Sequence, residues 1–311
     1  MNPARRAPAL IAITIGLMIV SSAAGGFGIG PPKPSTVAMT ADFVVVGKIT
    51  EMESDPVEAV PDGYRPPAPK GAADKPRIPK ATYKIVVLKI DDPLIGAKGL
   101  TQLRVGVPEA VPGPRGGRPP ILPAVGQEGC FFLTRHSAGE FYLHSSGFGV
   151  APLLKNNPNY DKELADIKTV AKAIDDPVGA LKAKAVEDRF IAALTILTRN
   201  ARVIPKHDAG GRAVTEDIPA EENQLILDLL LELPWAPKGG PPGNLSYAAP
   251  SRSVLWPHIG ADKYGFQAPA VRKAKPGQPL PDVAKQWDDA TTAFLKDNLD
   301  KIKLQKPVRA K

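Results

Sequence analysis

Residues 126–150 read G-Q-E-G-C-F-F-L-T-R-H-S-A-G-E-F-Y-L-H-S-S-G-F-G-V, and the fold turns on how they are read. Two runs rich in aromatic and β-forming residues, Cys130–Arg135 and Glu140–His144, flank a short connection through Ser137, Ala138 and Gly139. Paired runs of this length around a glycine-containing connection signal a β-hairpin. A turn centred on Ala138 sets His136 opposite Glu140 and His144 opposite Phe132. Such a hairpin supplies the two closing strands of a small barrel.

The other strands lie upstream. Asp42–Met52 carries Phe43, Val45 and Ile49 in one row. Thr82–Ile90 is apolar on both faces, as a central strand requires. Gln102–Val107 alternates, with Leu103, Val105 and Val107 on one side and Gln102 and Arg104 on the other. Five strands make an OB-type antiparallel barrel. Inserts at 53–80 and 108–123 interrupt it; Ser54–Lys80 alone holds seven prolines. Connections of that length are functional or mobile more often than structural.

Three stretches carry a resemblance: A-D-F-V-V-V-G-K-I at 41–49, Y-K-I-V-V-L-K-I-D-D-P-L-I-G at 83–96 and V-G-Q-E-G-C-F-F-L at 125–133. Together they resemble the netrin/metalloproteinase-inhibitor-type OB domain of secreted proteins. Inhibitors of that family act through a cysteine at the mature N-terminus that chelates the target's zinc. The one cysteine here is Cys130. The resemblance therefore implies the fold and transfers no inhibitory residue.

Downstream the period changes from strand to helix. Asp161–Asp175 places Leu164, Ile167, Val170, Ala171 and Ile174 on one face. Asp176-Pro177 reads as a stop and restart, Asp as N-cap and Pro in the first turn. The helix it opens runs to about Thr198 with Val178, Leu181, Val186, Phe190, Leu194 and Leu197 inward. Pro219 opens a third helix with Leu225, Leu229 and Leu233 as its stripe, and Glu221 and Glu222 favourably placed in its first turn. Pro281–Asp300 is the last, with Val283, Trp287, Phe294 and Leu295 inward. A proline- and glycine-rich loop, 234–280, separates these two; its apolar island around Trp256 is expected to pack onto the helices. This order of parts resembles that of uncharacterised secreted bacterial proteins.

The N-terminus carries an address. Arg5 and Arg6 precede an apolar run, Ala9–Val20, and then Ser21, Ser22, Ala23 and Ala24. That is a signal-peptide layout with cleavage after Ala24. The run is about 12 residues, short of the roughly 20 that span a bilayer. Cleavage changes the net charge from +8 to 8 − 2 = +6. The expected division is a signal peptide over 1–24, a flexible linker over 25–40, a β domain over 41–155, a small α-helical domain over 156–303 and a basic tail over 304–311. Proline accounts for 35 of 311 residues, about twice ordinary usage, so folded cores joined by long loops are expected rather than wholesale disorder. One cysteine leaves stability to packing rather than to disulfides.

Candidate chemistry is sparse. Four histidines, at 136, 144, 207 and 258, include no zinc-type spacing. Cys130 sits in a strand beside Gly129 and Phe131, where a thiol is commonly buried and inert. Ser145 and Ser146 are out of register for a nucleophile elbow. The pairs Glu187-Asp188, Glu216-Asp217 and Glu221-Glu222 are adjacent residues, which a helix points about 100° apart. Phe131, Phe141 and Tyr142, with Lys48 and Arg104, are the one stacking set an OB barrel would use for nucleic acid; export speaks against that partner. Glu128, Arg135 and His144 are the tentative surface cluster. No catalytic, metal or cofactor residue is expected. The reading is an exported α+β protein, periplasmic or extracellular, non-enzymatic, that binds a protein or envelope component and meets the membrane only during export. The alternatives are an exported hydrolase with a site assembled from distant residues, and a netrin-like protease inhibitor lacking the chelating cysteine.

Overall fold

The computed structural model describes residues 33–61, 80–109, 124–137, 140–144, 151–202, 214–236, 249–269 and 282–308. The segment expected to be a signal peptide with cleavage after Ala24, most of the two proline-rich inserts, His207 and Ser145–Gly149 lie outside the described residues.

The strands are β1 (Phe43–Met52), β2 (Val57–Ala59), β3 (Ala81–Ile95), β4 (Gln102–Pro108), β5 (Glu128–Arg135), β6 (Tyr142–His144), β7 (Leu153–Leu154), β8 (Thr215–Asp217) and β9 (Gln305–Pro307). Five of them close a barrel in the order β1-β3-β4-β6-β5, with β5 returning to β1. All five expected strands are present. The ring is mixed, however, not antiparallel throughout: β4 and β6 run parallel through Val105–Tyr142 and Gly106–Leu143. An odd number of strands cannot alternate all the way round a closed ring, so one neighbouring pair must be parallel.

Side-chain alternation gives β1 two apolar faces. Val45 and Ile49 join Val86, Leu88, Leu103, Val105, Phe131 and Leu133 inside the barrel. Val44, with Cys130 and Phe132 of β5, faces outward into the helical core. Pairing between β1 and β3 slips at Val44/Val45, Val46/Gly47 and Ile49/Glu51. Bulges of this kind bend a sheet and increase its twist, which lets so few strands close. They also accommodate Pro93, opposite Val45 at the first slip, so β3 runs on to Ile95 beyond the expected end at Ile90. At Gly47 the strands approach so closely that a Cβ would strike the Lys89 carbonyl. Gly96, at φ 72°, turns the chain out of β3 against the Asp42 carbonyl.

The hairpin register differs from the expected one by a residue. Leu133, not Phe132, faces His144, and Arg135 faces Tyr142. Gly106 explains the shift: its missing side chain leaves room for the Phe141 ring, which a Cβ there would hit. A one-residue shift exchanges the faces of every side chain, and it turns His144 toward the barrel side of Leu133.

The helices are α1 (Pro34–Ala38), α2 (Tyr160–Asp175), α3 (Pro177–Leu181), α4 (Val186–Arg202), α5 (Ala220–Glu232), α6 (Arg252–Leu255) and α7 (Val283–Asn298). Asp176 caps α3, accepting from the Gly179 amide at 2.9 Å. The single helix expected from Pro177 to Thr198 is two, broken over 182–185, where Ala183 N–H bonds the Ala180 carbonyl. No Gly or Pro marks the break in the sequence. It lets α4 run against both α2 and α5. Residues 192–198 of α4 are all buried, as in a helix surrounded by others.

The expected linker and the expected tail both contain ordered structure. Residues 33–40, assigned to the flexible linker, hold α1, whose Val37 and Ala38 lie in the core with Met39 beside them. In the tail expected from 304, β9 pairs with β8. The island in loop 234–280 forms α6 and two 3-10 turns, Trp256–His258 and Ala261–Tyr264, with Val254 and Leu255 in the core. The expected boundary at 155/156 falls between β7 and α2. Across it, Val44, Cys130, Phe132 and Leu153 share one apolar cluster with Ile167, Val170, Phe190 and Leu194.

Candidate functional site

Strand direction decides where the long connections emerge. Successive turns alternate between the two ends of the barrel. The β1–β3 and β4–β5 connections, which contain the two proline-rich inserts, therefore leave from the same end. The described roots of both are fastened. Glu53 N–H donates to the Ile85 carbonyl at 2.9 Å, and β2 pairs with the start of β3. Arg104 grips Glu53 through two hydrogen bonds, Nε to Oε1 and Nη2 to Oε2, each 2.7 Å. Lys80 meets Glu58 at 3.2 Å and Lys84 meets Glu109 at 3.7 Å. At the far root, Gly126 N–H reaches the Ile49 carbonyl at 2.8 Å, and the Glu109 amide reaches Thr82 at 2.8 Å. Exposed ion pairs each contribute about 0–1 kcal/mol, so the backbone bonds carry most of the fastening.

Glu128 sits at this end, on the outer face at the start of β5. It bridges Lys48 at 3.0 Å and Lys155 at 3.3 Å. The hydrogen bonds from those two ammonium groups, Lys48 first, hold its carboxyl below the usual range. A shallow hollow of about 280 Å³ opens beside it, lined by Gly126, Gln127, Glu128, Leu154, Lys155 and Asn156. Three large apolar side chains are exposed around the same end: Met52 (40%), Val60 (37%) and Val125 (56%). Arg104 likewise lowers the Glu53 carboxyl by hydrogen bonding.

Glu128, Arg135 and His144 do not form one cluster. Glu128 and Arg135 are at opposite ends of β5, seven residues or about 23 Å apart along the strand. His144, opposite Leu133, lies nearer Arg135. Its ring is 6.0 Å from that of Phe131, and burial pushes its pKa down to about 4, so it is neutral at pH 7. His136 is interior, stacked on Phe141 at 4.4 Å and edge-on to Tyr83 at 5.2 Å. The Cys130 thiol is fully buried and pushed up to about 12 by that burial. Such a thiol is not a nucleophile at neutral pH. Phe131 and Phe141 are buried and Tyr142 packs on Phe43, so these rings form no open stacking platform.

Among the described residues, no three His, Cys, Asp or Glu side chains gather to hold a metal ion. Nor is any helix among them long and apolar enough to cross a membrane. Sequence reasoning missed the grip of Arg104 on Glu53 and the two lysines at Glu128. Both are cross-strand or cross-loop pairs, visible only once register is known. Comparison with family models, curated proteins and solved structures returns no match.

Proposed function

We infer that the chain is an exported, non-enzymatic binding module of OB type, acting in the periplasm or outside the cell on a protein or envelope component. The order β1-β3-β4-β6-β5-β1 with one parallel pair supports the OB-type reading. The observation that carries the binding role is the convergence at one barrel end. Both long connections are rooted there, Met52, Val60 and Val125 are exposed around that end, and the Lys48–Glu128–Lys155 bridge opens on the same end. Binding surfaces concentrate on loops held by a rigid scaffold. The interior of the barrel is filled with side chains, which favours recognition at the rim over a ligand held within.

The test is sedimentation of the purified protein with isolated cell envelopes, wild type against the double variant Met52→Asp, Val125→Asp. Both positions are exposed, so the variant folds. Saturable binding that the variant loses by at least about tenfold, or 1.4 kcal/mol, is expected. Equal binding by both proteins, or none by either, contradicts the reading.

A further inference from the structure

Among the described residues, Arg252 is the one buried Lys or Arg, 2% exposed. Its guanidinium spends every donor on acceptors from two helices. Nε donates to the Leu230 carbonyl at 2.6 Å, and Nη2 to the Leu231 and Leu233 carbonyls at 3.3 and 2.8 Å. Nη1 donates to the Asp288 carbonyl at 3.2 Å and to the Thr291 and Thr292 hydroxyls at 2.8 and 2.7 Å. The Leu230 and Leu231 carbonyls are in the last turn of α5 and Leu233 is its C-cap; the other acceptors belong to α7. Around this pin an aromatic box interlocks. Trp235 stacks on Trp287 at 4.6 Å, and Trp256 and Phe266 set their edges against Trp235 and Phe294.

The two sides of this contact differ in what holds them. α5 and α7 are helices of 13 and 16 residues with internal hydrogen-bond ladders of their own. The Thr291 hydroxyl also bonds the Trp287 carbonyl of its own helix at 2.7 Å. Residues 249–269, by contrast, own one four-residue helix and two 3-10 turns. Helical pieces so short have no stability apart from docking. We propose that residues 249–269 are a strap over the α5–α7 groove, latched by Arg252, that opens and closes as a unit while the barrel stays folded. Opening uncovers Trp235, Trp287 and Phe294; the α5 carbonyls then turn to water, and the helices remain.

Native-state hydrogen exchange of the full chain in low urea tests this. The amides of Ser253, Ile259, Lys263 and Phe266, each bonded within the strap or to its rim, are expected to share one opening that precedes the opening of β1 and β5. Arg252→Met speeds that opening on the order of a hundredfold. It also shifts tryptophan emission to the red and leaves β1 and β5 protection unchanged. A strap that exchanges in wild type only with β1 and β5 overturns the proposal. So does an Arg252→Met protein in which β1 and β5 lose protection equally. If that variant does not fold, the wild-type exchange pattern decides alone.

Discussion

His144 shows what one residue's surroundings do to the pH response of the whole. Burial beside Phe131 disfavours its charged form and lowers its pKa from the ordinary 6.5 to about 4. The unfolded chain therefore takes up a proton near pH 6.5 that the folded chain refuses until near pH 4. Stability from this group is intact above pH 6.5 and is lost as pH falls through that window. His144→Leu, which keeps an apolar side chain of similar size, is expected to flatten the loss by roughly 2 kcal/mol between pH 6.5 and 4. Urea midpoints at several pH values read it; an unchanged slope in the variant contradicts the account. The sequence reading sets this histidine opposite Phe132, one register position from its partner Leu133. Its pairing depends on Gly106 making room for Phe141, a contact between residues 35 apart.

At the scale of elements, local chemistry was legible wherever it decided the outcome. The apolar spacing of 161–175 marks α2, Asp176-Pro177 opens α3, and five strand patterns supply the five barrel strands. Capping at α7 is equally local: Asp282 accepts from the Lys285 amide at 2.9 Å. Asp282→Ala is expected to destabilise the protein by about 1 kcal/mol, read as a lower denaturation midpoint with unchanged slope; no shift contradicts it. Elements fixed by distant partners were not legible. The break before α4 carries no Gly or Pro; it goes with α3 and α4 each packing on both α2 and α5. α1 and β9 are too short for a periodic signal, and each exists through what it packs against. Arg252 stood in plain view, a lone cation before V-L-W, yet its acceptors come from segments up to 40 residues away. The parallel β4–β6 pair needed no contact at all, only the count of strands.

For the whole molecule, the decisive feature is that β1 and β5 are apolar on both sides. One face fills the barrel and the other enters the helical core, so Val44, Cys130 and Phe132 belong to the same cluster as Ile167 and Leu194. The sequence reading finds one apolar row in β1, Phe43, Val45 and Ile49; the second row is recognised only with the helices that cover it. This sharing makes the barrel a firm base for the end where the long connections are rooted, and the proposed binding role rests on it. The most direct measurement is native-state hydrogen exchange in Phe132→Ala, a buried residue on the outer face of β5. Removing that ring should cost about 3–5 kcal/mol. A shared core predicts that the amides of α2 and α4 lose protection by the same free energy as those of β1 and β5. Protection lost in the strands alone, with α2 and α4 unchanged, would contradict it.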